Sequence, residues 1–177
     1  MNSLIKRVSI TGPESTGKSE LSRKLASTFN TLWAPEYARD YLLNLKRDYE
    51  QKDLAVIGRG QLLKEELRVD GARELLFCDT DMIVLKVWSL FKYGTCDEWI
   101  LERVKEHKYD LYLLCDIDLP WEEDPLREHP NRRQELFNLY IRELDALKAT
   151  YHVVSGKGEK RLKSAVDAIE TELGIKP

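Results

Sequence analysis

The sequence predicts a three-layer α/β fold with a mainly parallel sheet, and three observations carry that prediction. Short apolar runs alternate along the chain with stretches of helical periodicity. Two of the runs, Leu75-Leu76-Phe77-Cys78 and Leu111-Tyr112-Leu113-Leu114-Cys115, are apolar throughout, and each is followed directly by an aspartate. A continuous apolar run marks a strand covered on both faces, as in a parallel sheet held between helices. Ligands of such folds collect beyond the carboxyl ends of the strands, which places Asp79 and Asp116 at the expected binding edge.

The elements follow in order. Val8-Ser9-Ile10 reads as a strand that enters a glycine-bearing turn, after which Leu21, Leu25 and Phe29 recur at helical spacing. Residues 31–34 form a second strand, and Pro35 ends it before a polar and aromatic helix-like stretch over 36–45. Residues 52–69 carry Leu54, Ile57, Leu62 and Leu63 as a helix would, with Gly58 and Gly60 weakening its middle. After the strands ending at Cys78 and Cys115, residues 152–155 supply a last strand. A helix follows it with Leu162, Ala165, Val166, Ile169 and Leu173 on one face. Residues 120–131 are dense in charge and proline and are expected to form a mobile loop, a lid reaching about residue 133.

A length of 177 residues with 42% apolar content suits one domain around one sizeable core, so residues 1–177 are expected to fold as a unit. With 31 acidic against 28 basic residues, the net charge of -3 offers no global attraction for nucleic acid or an anionic membrane. The opening residues lack the apolar stretch of a signal peptide, and no segment approaches a bilayer-spanning length. A soluble, cytoplasmic chain is expected. Cys78, Cys96 and Cys115 are an odd set without metal-ligand spacing, and His107, His129 and His152 are widely separated, so zinc is not expected.

The strongest chemical signal is Gly12-Pro13-Glu14-Ser15-Thr16-Gly17-Lys18-Ser19, a full G-x-x-x-x-G-K-[ST] match lying between a strand and a helix. Gly12 and Gly17 let the backbone curl until successive amides point inward, and the following helix aims its positive end at the same place. Such a loop holds phosphates. Lys18 would bridge the outer phosphates of a nucleotide such as ATP, and the Ser19 hydroxyl would ligate magnesium. Glu14, Ser15 and Thr16 complete the loop, the two hydroxyls serving either phosphate contact or turn geometry.

Asp79 follows its strand directly, the position from which a phosphate-loop enzyme holds magnesium through water. Asp81, two residues on, is placed either to serve an acceptor or to cap the helix that begins at Met82. Glu36 leaves the second strand beside Tyr37, Arg39 and Asp40. A carboxylate there can orient and deprotonate an acceptor hydroxyl, the alternative being a solvated helix face. On the lid, Asn131 is read as a helix cap with Gln134 completing a capping box, which puts Arg132 and Arg133 in the first turn. Cations there oppose the helix dipole, so an anionic ligand for Arg127, Arg132 and Arg133 is expected, against the alternative of surface pairing with nearby glutamates.

With these residues in place, the chain resembles the ribosylnicotinamide kinase domain of NadR-type NAD-biosynthesis proteins, a group within the P-loop nucleoside and nucleotide kinases. The resemblance covers most of the chain and rests on four segments: the loop Gly12 to Ser19, Glu36-Tyr37-Ala38-Arg39-Asp40-Tyr41, Cys78-Asp79-Thr80-Asp81, and the stretch from Trp121 that ends in Asp124-Pro125-Leu126-Arg127. It implies transfer of the ATP γ-phosphate, with magnesium, to the 5′-hydroxyl of nicotinamide riboside. It also implies a sheet of order 2-3-1-4-5, with Cys78 and Cys115 on strands flanking the central one and so not disulfide-bonded. Pro125 departs from the glycine frequent in the family's lid. Only eleven residues precede Gly12 and no H-x-G-H signature occurs, so a nucleotidyltransferase half is not expected in this chain. Trp33, Tyr37, Tyr41 and Trp121 are candidates to face a nicotinamide ring, Trp121 foremost because its loop is polar.

Two other classes stand beside the kinase: an ATPase or regulatory switch of the AAA type, whose usual extra helical domain has no room here, and a nucleotide-binding module without turnover. The retention of Lys18, Ser19 and Asp79 counts against the second. The acceptor, the choice between ATP and GTP, and the oligomeric state are left open by the sequence.

Overall fold

The protein is described from a computed structural model over residues 5–177. The elements run β1 (Lys6–Thr11), α1 (Lys18–Thr28), β2 (Leu32–Ala34), α2 (Tyr37–Asn44), α3 (Gln51–Val69), β3 (Leu75–Asp79), α4 (Met82–Tyr93), α5 (Glu98–Glu106), β4 (Leu111–Cys115), α6 (Arg133–Ala146), β5 (Tyr151–Val154) and α7 (Glu159–Leu173). The strands form one parallel sheet in the order β2-β3-β1-β4-β5, as the resemblance implied. β1 is central, with Ile10 opposite Asp79 on one side and Leu113 on the other. All three strands therefore release their chains at the same edge. β5 starts one residue earlier than the apolar pattern suggested.

Side chains of a strand alternate between faces, and here each face has its own core. Leu75, Phe77, Leu111, Leu113 and Cys115 pack with Leu21 and Leu25 of α1 and Ile169 of α7. Leu76, Cys78, Tyr112 and Leu114 pack on the opposite face with Leu54 and Ile57 of α3, Ile83 of α4, Ile100 of α5 and Leu144 of α6. This explains why the runs show no apolar-polar alternation. Fully burying each Leu, Ile or Phe contributes roughly 1.5–3 kcal/mol relative to exposure. Cys78 and Cys115 are thus separated by β1 and lie on opposite faces, both free and both buried. Burial pushes the Cys115 thiol up to about 11 and the Cys78 thiol well above its ordinary range.

The helix expected over 52–69 is present as α3, unbroken through its glycines because tertiary packing overrides their low propensity: a Cβ on Gly60 would stand 2.2 Å from the Tyr37 ring, so the missing side chain is what lets α2 lie against α3. One local expectation is corrected. The cap of α6 is Arg132, with no side-chain hydrogen bond, and not Asn131. The capping box fails with it, since the Gln134 amide donates to Asn138 one turn on instead of reaching back.

Candidate active site

The loop between β1 and α1 is shaped by its glycines. Gly12 has φ of +127°, and a Cβ there would lie 3.0 Å from the Cys115 carbonyl oxygen at the end of β4. Gly17, at φ of +76°, is the left-handed residue that opens α1. The Lys18 ammonium donates to the carbonyls of Gly12 and Pro13 at 2.9 and 2.7 Å, so the cation is held against its own loop. Thr16 Oγ1 donates to the Pro13 carbonyl at 2.8 Å, which assigns that hydroxyl to turn geometry. A brace that no motif singles out comes from α7. The buried Arg161 donates to the carbonyls of Thr16, Asp116 and Gly156 and pairs with Asp118, tying the loop to the exits of β4 and β5. Asp116 accepts from Ser155 and from the Ile117 amide, and Asp118 from the Gly156 amide. Both are thereby structural acids.

Facing the loop across the strand ends are Asp79 and Glu36. Asp79 is 2% exposed, and its Oδ1 has no partner among the described residues. Burial raises its carboxyl above the usual range, against the opposing pull of the Ser19 hydroxyl and Lys18. Glu36 precedes α2 and makes no capping bond with its side chain. Its carboxyl is raised first by burial and then by the charge of Asp79, with Lys18 and Arg39 pulling the other way. Two carboxylates and one ammonium thus share a small space, the arrangement that separates metal-binding from proton-accepting work.

Asp81 behaves differently. One of its oxygens accepts from the Val84 amide at 3.0 Å, and the other from Ser9 Oγ at 2.5 Å. Both oxygens have partners, one in the cap of α4 and one on β1, so the capping alternative describes its contacts, although the residue still lines the cavity. Between the two aspartates, Thr80 sits at φ of +73°, a left-handed conformation unfavourable for a β-branched residue, with its amide bonded to the Ile10 carbonyl.

The connection from β4 to α6, residues 116–132, folds over the loop. Ser15 Oγ accepts from the Glu122 amide at 2.8 Å and from Arg127 Nη1 at 3.2 Å. Glu14 accepts from the amides of Glu128 and His129, at 3.0 Å in the latter case. Arg133 donates to the carbonyls of Ser15 and Leu119. The far side of the lid is tied by Arg39 to Asp124 and by Lys92 and Tyr49 to Glu128. Arg127 and Arg133 therefore border the loop. Arg132 does not: it pairs with Glu135 through two bonds of 2.9 Å and stacks on Phe91, so the surface-pairing alternative accounts for it.

Beneath the lid lies a cavity of about 310 Å³, lined by the loop, Glu36, Arg39 and Asp81 together with apolar side chains of α2, α3, α4 and α6. That volume suits a small molecule. The aromatic residues on its wall include Trp88 and Phe91, and none of Trp33, Tyr37, Tyr41 and Trp121 lines it. Trp33 packs on the opposite core, Tyr37 on Gly60 beside the Lys64 ammonium, Tyr41 bonds Asp53, and the Trp121 indole donates to Glu123. Trp88 and Phe91 were missed because a spacing of three on a strongly apolar helix reads as ordinary core.

A five-stranded parallel sheet of this order, with a G-x-x-x-x-G-K-[ST] loop at the end of its central strand, matches the P-loop kinases and makes the chain nucleoside and nucleotide kinase-like. The chain belongs to the AAA domain family, whose signature spans residues 7–161. It is 28% identical over 179 residues to the trifunctional NAD biosynthesis/regulator protein NadR of Salmonella typhimurium, an alignment covering 96% of this chain and 43% of that protein. A crystal structure of NadR protein in complex with NR superposes with a TM-score of 0.74 at 25% identity, over 98% of this chain and 51% of the other. This chain thus spans about half or less of those relatives' length. Thymidylate kinase from Ehrlichia chaffeensis shares the fold at 13% identity, with a TM-score of 0.63 over 94% of this chain and 97% of the kinase. No helix among the described residues is long and apolar enough to cross a membrane.

Proposed function

We propose that this protein is a magnesium-dependent kinase that moves the γ-phosphate of ATP to the 5′-hydroxyl of a nucleoside, with nicotinamide riboside as the acceptor. The observation that carries the reading is the cavity behind the phosphate loop, which joins the loop and the free carboxylate of Glu36 to a partly apolar chamber under one lid. A pure ATPase needs no second chamber. The choice of nicotinamide riboside rests on the homology to NadR and on the structure of that protein with NR.

The residues present suit the donor and the metal. A Cβ at Gly12 would crowd the Cys115 carbonyl, so glycine there lets the loop lie against the end of β4, and a loop of this pattern at a helix N-terminus turns its amides to phosphate oxygens. The unpartnered Oδ1 of Asp79 and the neighbouring Ser19 hydroxyl are the hard oxygen donors that magnesium takes, usually with several waters retained. Magnesium bound there would neutralise charge on the outer phosphates.

Lys18 leaves its carbonyl partners for phosphate oxygens when the donor binds. Glu36 orients the acceptor hydroxyl and takes its proton as the oxygen attacks phosphorus. Arg127, already at Ser15 on the rim of the loop, places its positive charge where negative charge accumulates during transfer, with Arg133 as a second candidate. Incubation with magnesium ATP and a panel of ribosides tests this. ADP release should depend on the riboside, nicotinamide riboside should be used best, and a 5′-phosphorylated product should accumulate. Equal ADP release without any riboside would instead identify an ATPase or switch.

A further inference from the structure

Gln61 lies on the α3 wall of the chamber, is 2% exposed, and its Nε2 has no hydrogen-bond partner among the described residues. A buried donor left unpaired costs about 1–3 kcal/mol, and native structures rarely keep one without a use. The orientation of this carboxamide is set by chemistry. The Tyr37 backbone N–H, which can only donate, lies 2.8 Å from Oε1, so that atom must be the oxygen and the amino group is turned to the other side. Ile57 and Leu85, also on the chamber wall, are apolar and offer no side-chain acceptor. Tyr37 directly follows Glu36, so the carboxamide is anchored to the backbone one residue after the proposed base, and both residues line the same chamber.

We propose that Gln61 is a specificity-determining residue of the acceptor site, whose amino group donates to a neutral lone-pair oxygen on the acceptor. This inference rests on the kinase reading above. The oxygen belongs either to a sugar hydroxyl or to the carbonyl or carboxamide of the attached ring, and both present the same acceptor chemistry. Because its other end is fixed by backbone, the donor is pre-organised, and it selects molecules carrying the oxygen over shape-matched analogues without it.

Calorimetric binding with a non-hydrolysable ATP analogue and magnesium present provides the test. The ligands are nicotinamide riboside, its 2′-deoxy and 3′-deoxy forms, and the pyridine riboside lacking the carboxamide. Wild type is compared with Gln61→Glu, which keeps an oxygen for the Tyr37 amide but removes the donor, and with Gln61→Met, which removes both without adding charge. Wild type should bind the full riboside about tenfold or more tightly than one of the analogues. Both variants should lose that preference while binding of the ATP analogue is unchanged, and the analogue concerned identifies the oxygen. Equal weakening toward every ligand would assign Gln61 to packing and overturn the proposal, as would unchanged preferences. If wild type binds and phosphorylates a different nucleoside, the nicotinamide riboside assignment falls, and the same comparison on that nucleoside's deoxy and des-carbonyl forms decides Gln61. If it binds no riboside, both readings fall.

Discussion

Glu36 and Asp79 have the same functional group and nearly the same address, yet their surroundings suit them to different tasks. Asp79 is the more buried and stands beside the Ser19 hydroxyl, a setting for a metal. Glu36 is half-buried beside Arg39, at the mouth of the chamber, where an acceptor hydroxyl can reach it. Both carboxyls are raised by burial, and for Glu36 the charge of Asp79 adds to the effect. A general base must be ionised, so kcat/KM for the riboside should rise with pH along an acid limb whose midpoint lies above the ordinary glutamate value of about 4.3. Glu36→Gln should lower kcat by about 100-fold or more and abolish that limb, with ATP affinity little changed. A full limb in the variant would move the role elsewhere. Stability has the opposite sign: between the ordinary and the raised values the folded state binds more protons than the unfolded one, so these two groups make the protein less stable as pH rises through that window. At this scale the sequence announced what spacing can announce. Lys18, Ser19 and Asp79 stand at a strand edge, as their motifs required. Gln61, Trp88 and Arg161 were not legible, because each acts through a partner far away in sequence.

The segment proposed as a lid shows how the fold gives a loop partners that its composition only hints at. Its charge and proline content marked a loop, but the residues that hold it were paired by the fold: Glu14 of the phosphate loop accepts from two lid amides, and Ser15 contacts a third amide and Arg127. The same loop that is proposed to hold the donor therefore also docks the cover. Glu14→Gln keeps the shape but weakens the charge-assisted bonds to the amides of Glu128 and His129, each worth about 1.5–3 kcal/mol when intact. Amide hydrogen exchange at residues 128 and 129 should quicken severalfold while the strands remain protected, and unchanged exchange would show that the lid is held by its other ties. The arginines illustrate the opposite limit. Arg127, Arg132 and Arg133 are indistinguishable by composition, and only the start of α6 decides that Arg132 turns outward to Glu135 while Arg133 turns inward to the loop.

In the whole molecule, two cores clamp one sheet, and every proposed catalytic group belongs to a segment that leaves that sheet at its carboxyl edge or covers it. This level was the most legible in the sequence, since five apolar runs with helices between them leave few ways to build a parallel sheet. The packing of α2 on α3 through Gly60, and the cavity that this packing leaves open beneath the lid, were not legible, because they depend on surfaces that meet only after folding. In the proposed function, that cavity is what separates a phosphoryl-transfer enzyme from a hydrolytic switch built on the same loop. The direct measurement is the fate of a labelled γ-phosphate from magnesium ATP in the presence of nicotinamide riboside. The label should appear in the 5′-phosphate of the riboside, in step with ADP, with little released as inorganic phosphate. Label recovered only as inorganic phosphate, at a rate indifferent to the riboside, would contradict the proposed transfer.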